Sequence, residues 1–182
     1  MRRLRRFVVF GLLSAYLVLG NIAQADDAKD VEKYIKILKT SKKTAERVSA
    51  ISDLMLLSRQ NFEPIKPAVP DLVEVIKNEK NSQIRYTAAL VIANTGGGAK
   101  PALPLAVAIL NDPKEDVDVK TGAAKVIGAC GIFGVKETRD VLPLLTKIEK
   151  AELAKDASQR NDQFLEIVSE AIRSINAGTK DK

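Results

Sequence analysis

Apolar positions along this chain recur at the spacing of an amphipathic helix. Val69, Leu72, Val73 and Ile76 fall at i, i+3, i+4 and i+7, and Leu103, Ala106, Val107 and Leu110 repeat that interval. Prolines open each run, Pro67 and Pro70 in one and Pro101 and Pro104 in the other, where first-turn N–H groups have no intrahelical partner to lose. A polar break follows, Asn78 to Ser82 and then Asn111 to Asp116. Behind it the pattern predicts a second helix carrying Ala88-Ala89 or Ala123-Ala124 and closing at Gly96 or Gly131, a residue suited to the left-handed turn after a helix end. Asn81 and Asp116 stand where a side chain can accept the orphan N–H groups of that helix. On the flanks, Val31, Tyr34, Ile35 and Leu38 predict one helix, and Val48, Ile51, Leu54 and Met55 its partner. Val141, Leu144, Leu145 and Ile148 predict another, and Phe164, Ile167, Val168, Ala171, Ile172 and Ile175 the last.

These hairpins are copies of one another. Lys66-Pro67-Ala68-Val69-Pro70 returns as Lys100-Pro101-Ala102-Leu103-Pro104 at an offset of 34. Ala88-Ala89 and Ile84-Arg85 return as Ala123-Ala124 and Val119-Lys120 at an offset of 35. A repeat of this length is one supersecondary unit that buries its apolar face only by stacking on its neighbours. The approximate units are 27–60, 64–98, 99–135 and 138–177, and the outer two follow the pattern less closely, as terminal repeats with a polar outer side do.

A proline-containing first helix is thus followed by a second helix of pattern D/N-x-x-V/I-R/K-x-x-A-A-x-x-I/V-x-x-x-G. In this sequence the pattern is Asn81, Ile84, Arg85, Ala88, Ala89, Ile92 and Gly96, then Asp116, Val119, Lys120, Ala123, Ala124, Ile127 and Gly131. It resembles the HEAT repeat, of the bacterial HEAT-like kind that includes phycobiliprotein lyase-type repeats. The resemblance spans about 28–177 and is strong over 64–135. It implies an all-α fold, an armadillo-like α-solenoid of about four hairpins with a concave surface lined by the second helices, and it leaves the chemistry open.

The N-terminus has the three zones of a secretory signal peptide. Arg2, Arg3, Arg5 and Arg6 precede an apolar stretch from Phe7 to Gly20, and Ala23-Gln24-Ala25 offers a small-x-small cleavage site after Ala25. The apolar stretch is shorter than the roughly 20 residues that span a bilayer, so cleavage is favoured over an uncleaved anchor. The expected product is an exported domain, 26–177, periplasmic or secreted, with a disordered tail at 178–182. Removing four arginines from a chain of net charge +6 leaves about +2, which takes away most of the argument for a nucleic-acid partner.

Composition narrows the chemistry. The chain has no His, no Trp and one Cys. It therefore has no imidazole base, no Cys/His zinc site, no intrachain disulfide and few stacking platforms. Cys130 lies in an apolar run and reads as a small buried side chain, with an intermolecular bridge or reactive thiol as the alternative. Gly96-Gly97-Gly98-Ala99-Lys100 lacks the spacing and the following hydroxyl of a phosphate-cradling loop, and reads as a hairpin linker. Asp112, Glu115, Asp116 and Asp118 lack the alternation of a calcium loop and read as a solvated loop with one N-cap. Arg85 and Lys120 hold equal repeat positions and Arg47 can be placed with them at an offset of 38. Stacked, the three would form a basic ladder for an acidic partner, or else would bond loop carbonyls and capping residues of the adjacent repeat.

The expectation is a non-enzymatic protein–protein interaction scaffold without cofactor or metal. Its partner would be a protein or peptide, with no nucleic acid and no membrane contact once the signal is cleaved. The alternatives are a cell-envelope component that self-associates and a HEAT-like lyase or accessory factor.

Overall fold

The computed structural model describes residues 27–178. The segment expected to be a signal peptide, with its cleavage position Ala25, lies outside the described residues, as does the tail from 179 onward. All regular structure among the described residues is helical. Helix α1 (27–40) runs antiparallel to α2 (Thr44–Gln60). Three further hairpins follow: α3 (Val69–Asn78) with α4 (Ser82–Ala93), α5 (Leu103–Asn111) with α6 (Val117–Ile132), and α7 (Leu142–Leu153) with α8 (Asp162–Gly178). Gly178, placed in the tail by sequence, is the last residue of α8.

Each of the later hairpins is entered through a 3-10 segment, Glu63–Ala68, Gly96–Ala102 and Lys136–Val141. The proline-rich starts therefore supply a 3-10 turn before the α-helix. In the first two, Pro67 and Pro101 sit inside that turn, and Pro70, Pro104 and Pro143 then take the first turn of the α-helix. Asn81 Oδ1 accepts from Ile84 N at 3.1 Å and Asp116 Oδ1 from Asp118 N at 2.9 Å, so both predicted caps are made. Asn161 does the same for α8, accepting from Phe164 N at 2.8 Å.

The second helices pack side by side in chain order, α2 on α4, α4 on α6 and α6 on α8, while α3, α5 and α7 each lie against their own partner. One apolar cluster runs through all four hairpins and includes Leu38, Leu54, Leu72, Ile92, Ile127 and Ile175. The predicted faces are buried or half-buried against this cluster, and two details differ from expectation. On α2 the inward positions are Ala50, Ile51, Leu54 and Ser58, and Val48 is exposed. An offset of 38 aligns Ala50-Ile51 with Ala88-Ala89 and puts Val48 off the seam.

The second correction concerns glycine. Gly96 has the left-handed backbone expected after α4 (φ +59°), but its counterpart after α6 is Gly134 (φ +68°), not Gly131. Gly131 is still helical, because α6 is a turn longer than α4. Its missing side chain serves packing: a Cβ there would lie 2.9 Å from Ile175 N and 2.7 Å from Ile175 Cγ1. Gly122 plays the same part on the other flank of α6, where a Cβ would lie 2.8 Å from Ala89 Cβ. Bare backbone lets α6 come close to both neighbours.

Candidate functional site

Each second helix begins within reach of the loop of the next hairpin, and the basic residues of the predicted ladder stand there. Arg47 on α2 donates from Nε to Glu79 Oε2 (2.7 Å) and from Nη2 to Glu79 Oε1 (3.2 Å), while Nη1 reaches the Ser41 carbonyl at 3.1 Å. Arg85 on α4 repeats the arrangement one hairpin on. Its Nη1 and Nη2 meet Glu115 Oε1 and Oε2 at 2.7 and 2.6 Å, and Nε reaches the Ile76 carbonyl at 2.9 Å. The glutamates are tied down in turn: Glu79 accepts from Lys80 N (2.8 Å) and Asn81 N (2.9 Å), and Glu115 accepts from Asp116 N (2.9 Å). These forked contacts fix both position and orientation of the guanidinium.

Two rungs of the ladder are thus clasps between consecutive hairpins. The third differs: the Lys120 ammonium is half-buried and has no ion-pair partner among the described residues. In the fourth hairpin Glu152 accepts from the N–H of the capping Asn161 at 3.3 Å, as the loop glutamates do, but its cation is Lys155. Sequence inspection missed Glu79 and read Glu115 as part of a solvated loop, where the structure pairs it with Arg85. The available signal was a glutamate one or two residues before each N-cap, recurring at an offset of 36.

Burial by itself would push the Glu79 carboxyl up, but the Arg47 guanidinium and the N–H groups of Asn81 and Lys80 outweigh it and hold it below its ordinary value. A carboxyl lowered by folding stabilises the fold above its unfolded-state pKa, and that contribution disappears as pH falls through the folded value. Thermal melts are therefore expected to weaken on acidification below about pH 4, with Glu79→Gln falling less steeply than the wild type. Equal slopes for the two proteins would remove Glu79 from the acid response.

The remaining candidates have local roles. Asp112 accepts from Lys114 N, Asp116 caps α6 and Glu115 clasps Arg85, and no group of acidic, His or Cys residues among the described ones is arranged to hold a metal. Gly96-Gly97-Gly98 forms the 3-10 linker, and Lys100 pairs with Glu137 at 2.7 Å. Cys130 is fully buried, and that burial, with the Glu137 charge behind it, raises its thiol to about 11. Alkylation of the native protein near pH 8 is expected to run at least about a hundredfold slower than in urea, since only the thiolate reacts and only on opening. Equal rates would place the thiol at the surface.

Two surfaces stand out beside these local roles. A groove of about 570 Å³ between α1 and the 3-10 segment leading into α3 has Val31, Ile35, Pro64 and Ala68 on its walls, and its rim charges balance, Glu32 and Asp71 against Lys36 and Lys39. The other surface is the outer side of α2 and α4. Ala45, Val48, Ser49, Ser52 and Leu56 follow one another at helical spacing on α2, as Gln83, Thr87 and Leu90 do on α4, with Asn94 at its C-cap. Asn94 Nδ2 ties the two helices by donating to Ser58 Oγ at 2.9 Å. Charge on this face is sparse and lies at one end, where Arg59 follows Leu56 at i+3 and Asp53 borders it. The matching side of α6 and α8 bears the Lys125–Glu170 pair.

No helix among the described residues is long and apolar enough to cross a membrane. No protein-family model matches the chain, and no curated protein matches it.

Proposed function

We propose that the protein is an exported, non-enzymatic interaction scaffold, a HEAT-like α-solenoid that binds a protein or peptide along the concave face of its second helices. The observation that carries this reading is the face of α2 and α4, where charge is sparse and confined to the Arg59 end of α2. Cores of protein interfaces are depleted of charge while remaining mixed in polarity, and this face has Leu56 and Leu90 among serine, threonine, glutamine and asparagine. The Arg47 and Arg85 clasps support it from behind, holding successive hairpins in register so that the face is pre-organised. The export expectation rests on the N-terminal zones of the sequence alone.

The test places charge on the face without touching the core. Ser52→Glu combined with Thr87→Glu is expected to leave the thermal melt unchanged and to lower capture of a partner from the exported fraction by at least about tenfold, because each carboxylate would be desolvated unpaired. Undiminished capture would move the binding site elsewhere. Lys120→Glu, run in parallel, separates this reading from the basic ladder: loss of capture there instead would return the site to the cationic edge.

A further inference from the structure

Consecutive hairpins meet along three seams, and the loop end of the third is built differently from the other two. At each seam a largely buried glutamate accepts from the N–H of the residue that caps the following helix: Glu79 from Asn81, Glu115 from Asp116 and Glu152 from Asn161. At the first two, the cation that holds this glutamate reaches across from the preceding hairpin, as Arg47 and Arg85 do. At the third, the Glu152 side chain is just as buried, 11% exposed, but its cation is Lys155 of the same hairpin, which is 43% exposed. Lys120, which holds the repeat position of Arg85, is half-buried and has no ion-pair partner among the described residues. The carboxylates beside it in sequence are engaged elsewhere, Glu115 by Arg85 and Asp116 by the start of α6, and Asp118 is exposed.

The linker end of this seam is fixed. A Cβ on Gly131 would lie 2.9 Å from Ile175 N, and one on Gly128 would lie 3.3 Å from Ala171 Cα, so α6 and α8 touch there through backbone. Two ion pairs also cross the seam, Lys125–Glu170 and Lys100–Glu137, and all four of these side chains are more than a third exposed. Pairs so open to water hold weakly. The fourth hairpin is therefore pinned at its linker end and unlatched at its loop end.

We infer that the third seam is a latched hinge: the fourth hairpin pivots on the Gly128 and Gly131 contacts, and the loop end closes when Glu152 passes from Lys155 to Lys120. Lysine suits an exchangeable latch, because its ammonium is a point charge on a flexible stem, whereas the arginine fork locks orientation as well as position. Helix α8 ends the row of second helices, so this swing sets how the end of that row is angled against α6. The hinge goes beyond the scaffold reading and does not rest on it.

Amide hydrogen exchange followed residue by residue in the protein without partner tests it. In the wild type, protection at 165–169, near the loop end of α8, is expected to be at least about tenfold lower than at 171–175, beside the pivot. Lys120→Arg puts a fork across the seam and should raise protection at 165–169 about tenfold, with 85–89 of α4 unchanged. Adding Glu152→Gln should abolish that gain. Lys155→Ala, at an exposed position, removes the competing cation and should also raise protection at 165–169. Circular dichroism verifies that each variant keeps its helices. Equal protection along α8 in the wild type would make the fourth hairpin one rigid unit and overturn the hinge. No gain with Lys120→Arg, or a loss with Lys155→Ala, would overturn the latch. Partner capture plays no part in this measurement, so failure here leaves the scaffold reading standing.

Discussion

Replacing Gly131 by valine is expected to destabilise the protein by about 3 kcal/mol, the upper part of the usual range for forcing atoms into a close-packed interior. A Cβ at 131 meets the backbone of Ile175, 2.9 Å from its N and 3.0 Å from its Cα, so no side-chain rotation on α8 relieves the contact. Helix α8 has to move off α6, and it takes with it the buried side chains Phe164, Val168 and Ile175. In a domain of this size the loss corresponds to a fall of roughly 10 °C in melting temperature. Trimming the other side, as in Gly131→Ala with Ile175→Ala, should restore little, because the backbone atoms remain. Gly97→Ala is the matched control. Its Cβ would have ordinary contact at 3.5 Å, and its φ is not left-handed, so it should stay within about 0.5 kcal/mol of wild type. Similar melts for Gly131→Val and Gly97→Ala would show that α6 and α8 do not need this approach.

Arg85→Ala is expected to cost about 2–3 kcal/mol. The side chains of Arg85 and Glu115 retain only 18% and 11% of their exposure. Truncating the arginine leaves a carboxylate with little water and no counter-charge, and also strips the Ile76 carbonyl of its donor. Removing one partner of a fully buried pair costs about 3–5 kcal/mol, and the partial exposure here brings the figure down. Urea titrations of Arg85→Ala, Glu115→Ala and the double variant close the cycle. The double variant should be little worse than either single one, because removing both charges leaves nothing stranded. Additive losses would mean that the two side chains act independently. Lys39–Asp71 also joins the first two hairpins, but about half of each side chain is exposed, and Lys39→Ala should cost less than about 1 kcal/mol.

Much of the helical layout was legible because it depends on local periodicity. Buried positions such as Val69, Leu72, Ile84 and Ile92 repeat at helical intervals, and the caps at Asn81 and Asp116 need only a short polar side chain beside a helix start. Proline marked the hairpin entries correctly but not their 3-10 form, which depends on where the α3 and α5 ladders can begin. Val48 was misplaced because an alternation of apolar residues on α2 fits two neighbouring faces equally well. The choice fell to α4, whose packing against α2 selects Ala50 and Ile51.

The candidate site was less legible. Arg47, Arg85 and Lys120 look equivalent along the chain, yet two are forked onto glutamates 32 and 30 residues away and the third is not. Whether a basic side chain faces a partner or a neighbouring hairpin depends on how far consecutive hairpins are rotated, which no local pattern encodes.

The sequence by itself determined the helices, the caps at Asn81 and Asp116, the buried faces of the central hairpins and their recurrence, since each follows from the 3.6-residue period and from the hydrogen bonds a helix end lacks. It also determined what chemistry is missing, because an absent histidine cannot be supplied by folding. Only the tertiary structure decided that Gly131 is a contact and Gly134 the turn, and that two arginines close the seams. Those features depend on distances between segments tens of residues apart, and close packing of one helix on the next is what sets them.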